Sequence, residues 1–137
     1  MSQENVEIVR RIYDEGLIDR DPEWLLELAT PDIEYVNPQY AVEPGVRRGP
    51  AEVAQAMRRF AEPWEDSRHE LRKLYDGGDT VVAAVSWHIR GRGSDRELVN
   101  QEAHTWTLRG GMIARFEWGQ DLVKALEAAG LRETQRS

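Results

Sequence analysis

Glu102, His104 and Trp106 stand two residues apart in NQEAHTWTLRGGMIARFEWGQD, residues 100–121, and Arg115 and Glu117 follow at the same spacing. In an extended chain successive side chains alternate, so each set shares one face of its strand. A histidine exchanges protons near neutral pH, which makes His104 the leading acid–base candidate, with Glu102 placed to orient it or to reach solvent. The competing reading is a hydrogen-bonded core histidine. The second strand is ambiguous in register: Met112, Ala114, Phe116 and Trp118 form the more apolar face, and burial alone would turn that face inward and leave Arg115 and Glu117 exposed.

Other chemistry is thinner. His69, His88 and His104 fall on different expected strands with no His-x-His or HExxH spacing, and there is no cysteine, so no metal site is expected. The RGRG and RGG segments lack the following helix that a phosphate loop needs, and no cofactor is expected. Trp24, Trp64, Trp87 and Trp106, with Tyr35, Met57 and Phe60, fall near one expected inner surface. They suit an apolar cavity for a small molecule, or simply a core.

These residues need elements to hold them. Ser2 can cap a helix with apolar residues Val6, Val9, Ile12, Tyr13 and Leu17, weakened at Gly16. Asp21-Pro22 starts a short second helix carrying Trp24, Leu25 and Leu28. Asp32 to Pro38 alternates as a strand with Ile33, Tyr35 and Asn37 on one side, and a turn-rich loop runs to Pro50. From Pro50 to about Glu62, Val53, Met57 and Phe60 repeat at helical spacing. The period then changes to two: strands are expected at His69–Tyr75, Thr80–Arg90, Glu97–Leu108 and Met112–Trp118, joined by short turns into an antiparallel meander. Asp121 caps a last helix, Leu122–Ala129, stopped by Gly130. Helices ahead of a run of strands indicate an α+β domain over 1–131, with 132–137 as a tail.

Bulk properties exclude several classes. The 137 residues carry a formal net charge of −7, which opposes phosphate backbones, and the pairs Arg10/Arg11, Arg47/Arg48 and Arg58/Arg59 are diluted by acids; no nucleic-acid partner is expected. No apolar run reaches the roughly 18 residues of a membrane span, and no membrane partner is expected. The first residues, MSQENVEIVRR, lack the basic start and apolar core of a secretory signal. The expected compartment is the cytoplasm.

Taken in order, NVEIVRRIYDEGLIDRDPEWLLELATPDIEYVNP, RRGPAEV, DGGDTVVAAV, AHTWTLRGGMIARF and ALEAAGL resemble the SnoaL-like branch of the nuclear transport factor 2-like superfamily. The resemblance covers nearly the whole chain and implies a conical α+β roll, in which a bent antiparallel sheet wraps three helices around a pocket. It also implies roles. Tyr13 resembles the tyrosine with which ketosteroid isomerases polarise an oxyanion, and Asn37-Pro38 matches their Asp-Pro; asparagine cannot serve as that base, which disfavours their mechanism. His104 matches the strand position of their neutral acid. Glu117 matches a carboxylate of limonene-epoxide hydrolases with Arg115 beside it, although Val85 and Trp87 stand where the remaining polar groups belong. The resemblance turns Ile113, Arg115 and Glu117 toward the cavity, which leaves the apolar alternate face to be covered by a homodimer through the outer sheet.

On this reading His104, Glu117 and Tyr13 are the candidate catalytic residues. Tyr35, Asn37, Met57, Phe60, Trp64, Trp87, Glu102, Trp106 and Arg115 are the candidate substrate contacts. The expected ligand is a small apolar molecule, handled by a cofactor-free isomerase, cyclase or hydrolase, or held by a noncatalytic binding module of the same fold.

Overall fold

The computed structural model describes residues 2–131. Helix α1 spans Ser2–Asp14 and stops where Gly16 takes a left-handed φ of 70°, after which Leu17–Asp19 makes a 3-10 turn. The Ser2 side chain, expected as the cap, and the expected tail 132–137 lie outside the described residues. Pro22–Trp24 forms a second 3-10 turn leading into α2, Leu25–Leu28. Asp21 makes no side-chain cap there; both of its carboxylate oxygens accept from Arg58, at 2.8 and 2.9 Å.

Strands β1 (Ala29–Asn37), β2 (Gly45–Arg48), β3 (Trp64–Gly77), β4 (Thr80–Gly91), β5 (Glu97–Arg109) and β6 (Met112–Gly119) form one bent sheet, ordered β2-β1-β6-β5-β4-β3. Helix α3, Pro50–Ala61, follows β2, and α4, Leu122–Ala128, follows β6. The meander β3–β6 is antiparallel as expected, but β1 pairs with β6 in parallel, so the sheet is mixed. Hairpin turns dictate antiparallel neighbours only for consecutive strands; β1 and β6 are brought together by the closure of the whole roll. The short strand β2 is hidden in sequence among turn residues, and pairs antiparallel with β1.

The main core fills the inner face of the sheet, where Val9, Ile12 and Tyr13 of α1 and Val53 of α3 pack against Ile33, Val81, Ala83, Val85, Trp106 and Ile113. A smaller cluster lies on the outer face, where Leu126 of α4 covers Tyr75, Val82 and Ala84. Covering both faces explains the unbroken buried run Val81–Trp87 in β4. All six arginines of the three paired clusters bond to acids: Arg10 to Glu7, Arg11 to Glu15, Arg47 and Arg59 to Glu43, Arg48 to Glu34, and Arg58 to Asp21. No helix among the described residues is long and apolar enough to cross a membrane.

Strand β6 settles the register in a way that neither reading from sequence anticipates. Thr107 of β5 pairs with Arg115 and Leu108 with Ile113, so Ala114 is an extra residue at a bulge. The bulge switches parity: Ile113 is inside before it, and Phe116 and Trp118 are inside after it. Arg115 and Glu117 therefore lie on the other side, where Arg115 pairs with Glu34 at 3.5 Å and Glu117 at 3.3 Å. The inward orientation expected for Arg115 and Glu117 is corrected, and Phe116 and Trp118, two of the apolar residues that called for an outer-face dimer, turn into the roll instead. Consequently Phe116→Ala is expected to cost about 3–5 kcal/mol in a denaturant melt. Glu117→Gln is expected to stay within about 0.5 kcal/mol of the parent, because its partner is a half-exposed surface arginine.

Candidate active site

Between α3, the turns after α1 and the inner sheet face lies a cavity of about 460 Å³. Met57 and Phe60 of α3, Tyr35 of β1, and Phe116 and Trp118 of β6 line it, with Trp24 and Ile18 from the N-terminal turns. Strand β5 contributes Glu102, His104 and Trp106, and β3 contributes Ser67 and His69. Trp64 and Trp87 stand behind this lining: Trp87 stacks on Phe60 and His69, Trp64 meets Trp87 edge-on, and the Trp87 indole donates to Ser67 Oγ at 2.9 Å.

The polar groups form a directed chain. The Trp106 indole N–H, which can only donate, reaches Tyr13 Oη at 2.9 Å. Tyr13 lies 2.6 Å from His104 Nδ1, and His104 Nε2 lies 2.8 Å from Glu102 Oε1. Every hydrogen meets an acceptor in one assignment: Tyr13 donates to Nδ1, the ring keeps its hydrogen on Nε2, and Nε2 donates to the Glu102 carboxylate. Burial pushes the Tyr13 phenol well above its ordinary range, so it remains a neutral donor. Burial likewise lowers the His104 pKa, with neighbouring His69 adding to the effect, and this outweighs the opposing pull of Glu102.

This geometry revises three expectations. Tyr13 does not face the cavity; its hydroxyl is consumed in holding His104. His104 reaches the cavity wall but is only 1% exposed, and both of its nitrogens are occupied, so it backs Glu102 rather than presenting a free nitrogen. Asn37 is buried and fully engaged, accepting from Trp118 Nε1 at 2.6 Å and donating to the Glu43 carbonyl at 2.8 Å. Its amide fixes the loop after β1 instead of meeting a ligand. The phenol that does line the cavity is Tyr35, raised by burial and by Glu102 and therefore neutral.

A second pair faces the first. Asp19, at the end of the 3-10 turn, accepts from the backbone N–H of His69 at 3.1 Å to each oxygen and bonds His69 Nδ1 at 2.7 Å. With Nδ1–H donating to the carboxylate, Nε2 is left with a lone pair. His69, Glu102 and His104 each bring one donor atom within 4.8 Å of the other two. Sequence inspection missed Asp19 and passed over His69, because the partners are fifty residues apart and no spacing rule connects a helical turn to a strand. The one available signal was parity: His69 shares its strand face with Ser67 and Leu71.

A sequence-family model described as the SnoaL-like domain matches residues 9–116 and contains all of these polar side chains. No curated protein matches the chain. Among solved structures it is similar to a hypothetical protein of ketosteroid isomerase-like fold from Catenulispora acidiphila DSM 44928 in complex with trimethylamine, at 22% identity and TM-score 0.71 over 91% of this chain and 93% of that one. It is similar to TerC co-crystallized with polyporic acid, at 26% identity and TM-score 0.72 over 93% and 98%. A further similarity is to an NTF2-like protein of unknown function from Burkholderia pseudomallei K96243, at 21% identity and TM-score 0.74 over 90% and 95%.

The His104 pKa lies below 6.5 in the folded chain, so on acidification the unfolded chain takes up that proton first. The stability contributed by the neutral ring is complete above about 6.5 and is lost as pH falls toward the folded value. Thermal melts at about pH 7.5 and pH 5 are expected to show this loss, with a smaller drop between the two conditions for His104→Gln. Tyr13→Phe strands the Trp106 N–H and His104 Nδ1, at roughly 1–3 kcal/mol each, and its cost should be visible at neutral pH in the same melts.

Proposed function

The chain belongs to the SnoaL-like domain family, and from that premise we propose that it is an enzyme that moves a proton on a small, largely apolar, oxygen-bearing molecule held in the inner cavity. The observation that carries this reading is the pair of backed proton-handling groups on the inner sheet face, Asp19–His69 at β3 and His104–Glu102 on β5, with donor atoms of His69, Glu102 and His104 within 4.8 Å of one another in one apolar pocket. A structural ion pair needs no such duplication.

The roles follow from what each atom has left to offer. His69 Nε2, oriented by Asp19, takes the proton from a carbon or a water poised in the cavity. Glu102, held by His104 as a carboxylate, steadies the positive charge that forms on His69, and His69 Nε2 then returns the proton to the product. The Tyr35 phenol donates a hydrogen bond to the substrate oxygen, and Met57, Phe60, Trp106, Phe116 and Trp118 bind its apolar body and exclude water. Tyr13 and Trp106 act through His104. This chemistry serves an isomerase, a cyclase or a hydrolase. That relatives of this fold have been seen with trimethylamine and polyporic acid is in keeping with a ligand-holding cavity.

Proton abstraction can be followed before the natural substrate is in hand. Aryl ketones such as 2-tetralone, incubated with the protein in D₂O, are expected to incorporate deuterium next to the carbonyl faster than in buffer. His69→Gln and Glu102→Gln are each expected to reduce that acceleration by roughly 10²–10⁴-fold while circular dichroism stays unchanged. Acceleration that survives both substitutions, or none across a panel of such ketones, would sink the proposal.

A further inference from the structure

The three groups that meet in the cavity are also a ligand set. His69, Glu102 and His104 are two imidazoles and a carboxylate from two strands, each with one donor atom within 4.8 Å of the others. Four-coordinate zinc holds such donors at about 2.0–2.2 Å, which places them roughly 3.3 Å apart, so side-chain movements of at most about 1.5 Å would close the set around one ion. Two histidines and one carboxylate facing a cavity leave further coordination positions open. The donor set suits zinc and the neighbouring transition metals rather than magnesium or calcium, which prefer oxygen.

Two features of the surroundings favour a cation. The first is the support behind His69: Asp19 holds Nδ1 at 2.7 Å and leaves Nε2 free, the carboxylate–histidine arrangement that orients metal-bound imidazoles. The second is uncompensated charge. The Glu102 side chain is 3% exposed and that of Asp19 20% exposed, and neither bonds to a lysine or arginine among the described residues. Buried carboxylates are ordinarily paired or bound to a metal. By contrast, Asp21, which also lines the cavity, is already matched by Arg58.

We propose that His69, Glu102 and His104 bind one divalent transition-metal ion of the zinc class at the wall of the cavity. The ion takes the place of the hydrogen that His104 Nε2 shares with Glu102, and the ring then carries its hydrogen on Nδ1, with Tyr13 Oη as acceptor. Metal and proton compete for the same lone pairs, so occupancy silences the proton transfer proposed above. The metal proposal does not depend on that transfer, because binding is measured without any substrate.

The test is calorimetric titration of the full chain with zinc sulfate, paralleled by the visible absorption of cobalt(II) as a report on coordination by nitrogen and oxygen. One ion per chain is expected, with a raised melting temperature. His69→Gln and Glu102→Gln should each lose 10-fold or more in affinity, and Asp19→Asn, which touches only the supporting shell, should lose about 10-fold or more as well. His88→Ala is the control, because His88 lies on the outer face between Glu70 and Glu97 and offers an alternative surface site. Its affinity should match the parent. No binding to a parent chain shown to be folded, binding that His88→Ala removes, or binding untouched by both His69→Gln and Glu102→Gln would overturn the proposal. Deuterium exchange that fails while zinc still binds would count against the enzymatic reading alone.

Discussion

Placing the Glu102 carboxylate inside an apolar roll is the constraint on which the site depends. A charge taken out of water is tolerable only when neighbouring donors replace the solvent, and among the described residues the replacement arrives through the His104 imidazole. His104 performs that service only while its hydrogen stays on Nε2, which Tyr13 secures by donating to Nδ1, and Trp106 fixes the Tyr13 hydroxyl in turn. Three of these four residues alternate along β5, and the fourth comes from α1. The helix is therefore joined to the middle of the sheet by polar contacts as well as by the packing of Val9 and Ile12.

That arrangement also separates support from reactivity. A fully satisfied histidine with a lowered pKa makes a poor proton carrier, whereas the carboxylate it holds and the His69 nitrogen left free by Asp19 retain lone pairs at the cavity wall. Burial removes competing water and strengthens each interaction there. The same physics suits either a proton or a metal ion, since both seek unshared electron pairs in a desolvated, negatively charged corner.

Much of the scaffold was legible in the sequence. Helical spacing identified α1 and α3, the turns between β3 and β6 identified the meander, and alternation placed Glu102, His104 and Trp106 on one face of β5, where the structure has them. The order of motifs was enough to suggest the SnoaL-like family. Strand β2 was lost because four residues with glycine and two arginines carry too little pattern, and the parallel pairing of β1 with β6 was lost because no local turn encodes it. On β6 a strict period of two gave two opposed registers, and the bulge at Ala114 satisfied part of each.

The division between sequence and fold follows from range. Sequence by itself determined what depends on neighbours within a turn or a strand: element types, the inward face of β5, the apolar character of the future cavity, and the absence of thiol chemistry. Tertiary structure alone decided which distant groups meet. Asp19 finds His69 across fifty residues, and Tyr13 finds His104 across ninety-one. Those encounters turned Tyr13 and His104 into supports and left His69 and Glu102 facing the cavity, while the bulge at Ala114 put Arg115 and Glu117 on the outer side. Hydrogen bonding acts over about 3 Å of space whatever the distance along the chain, so the identities of the partners are set only when the roll closes.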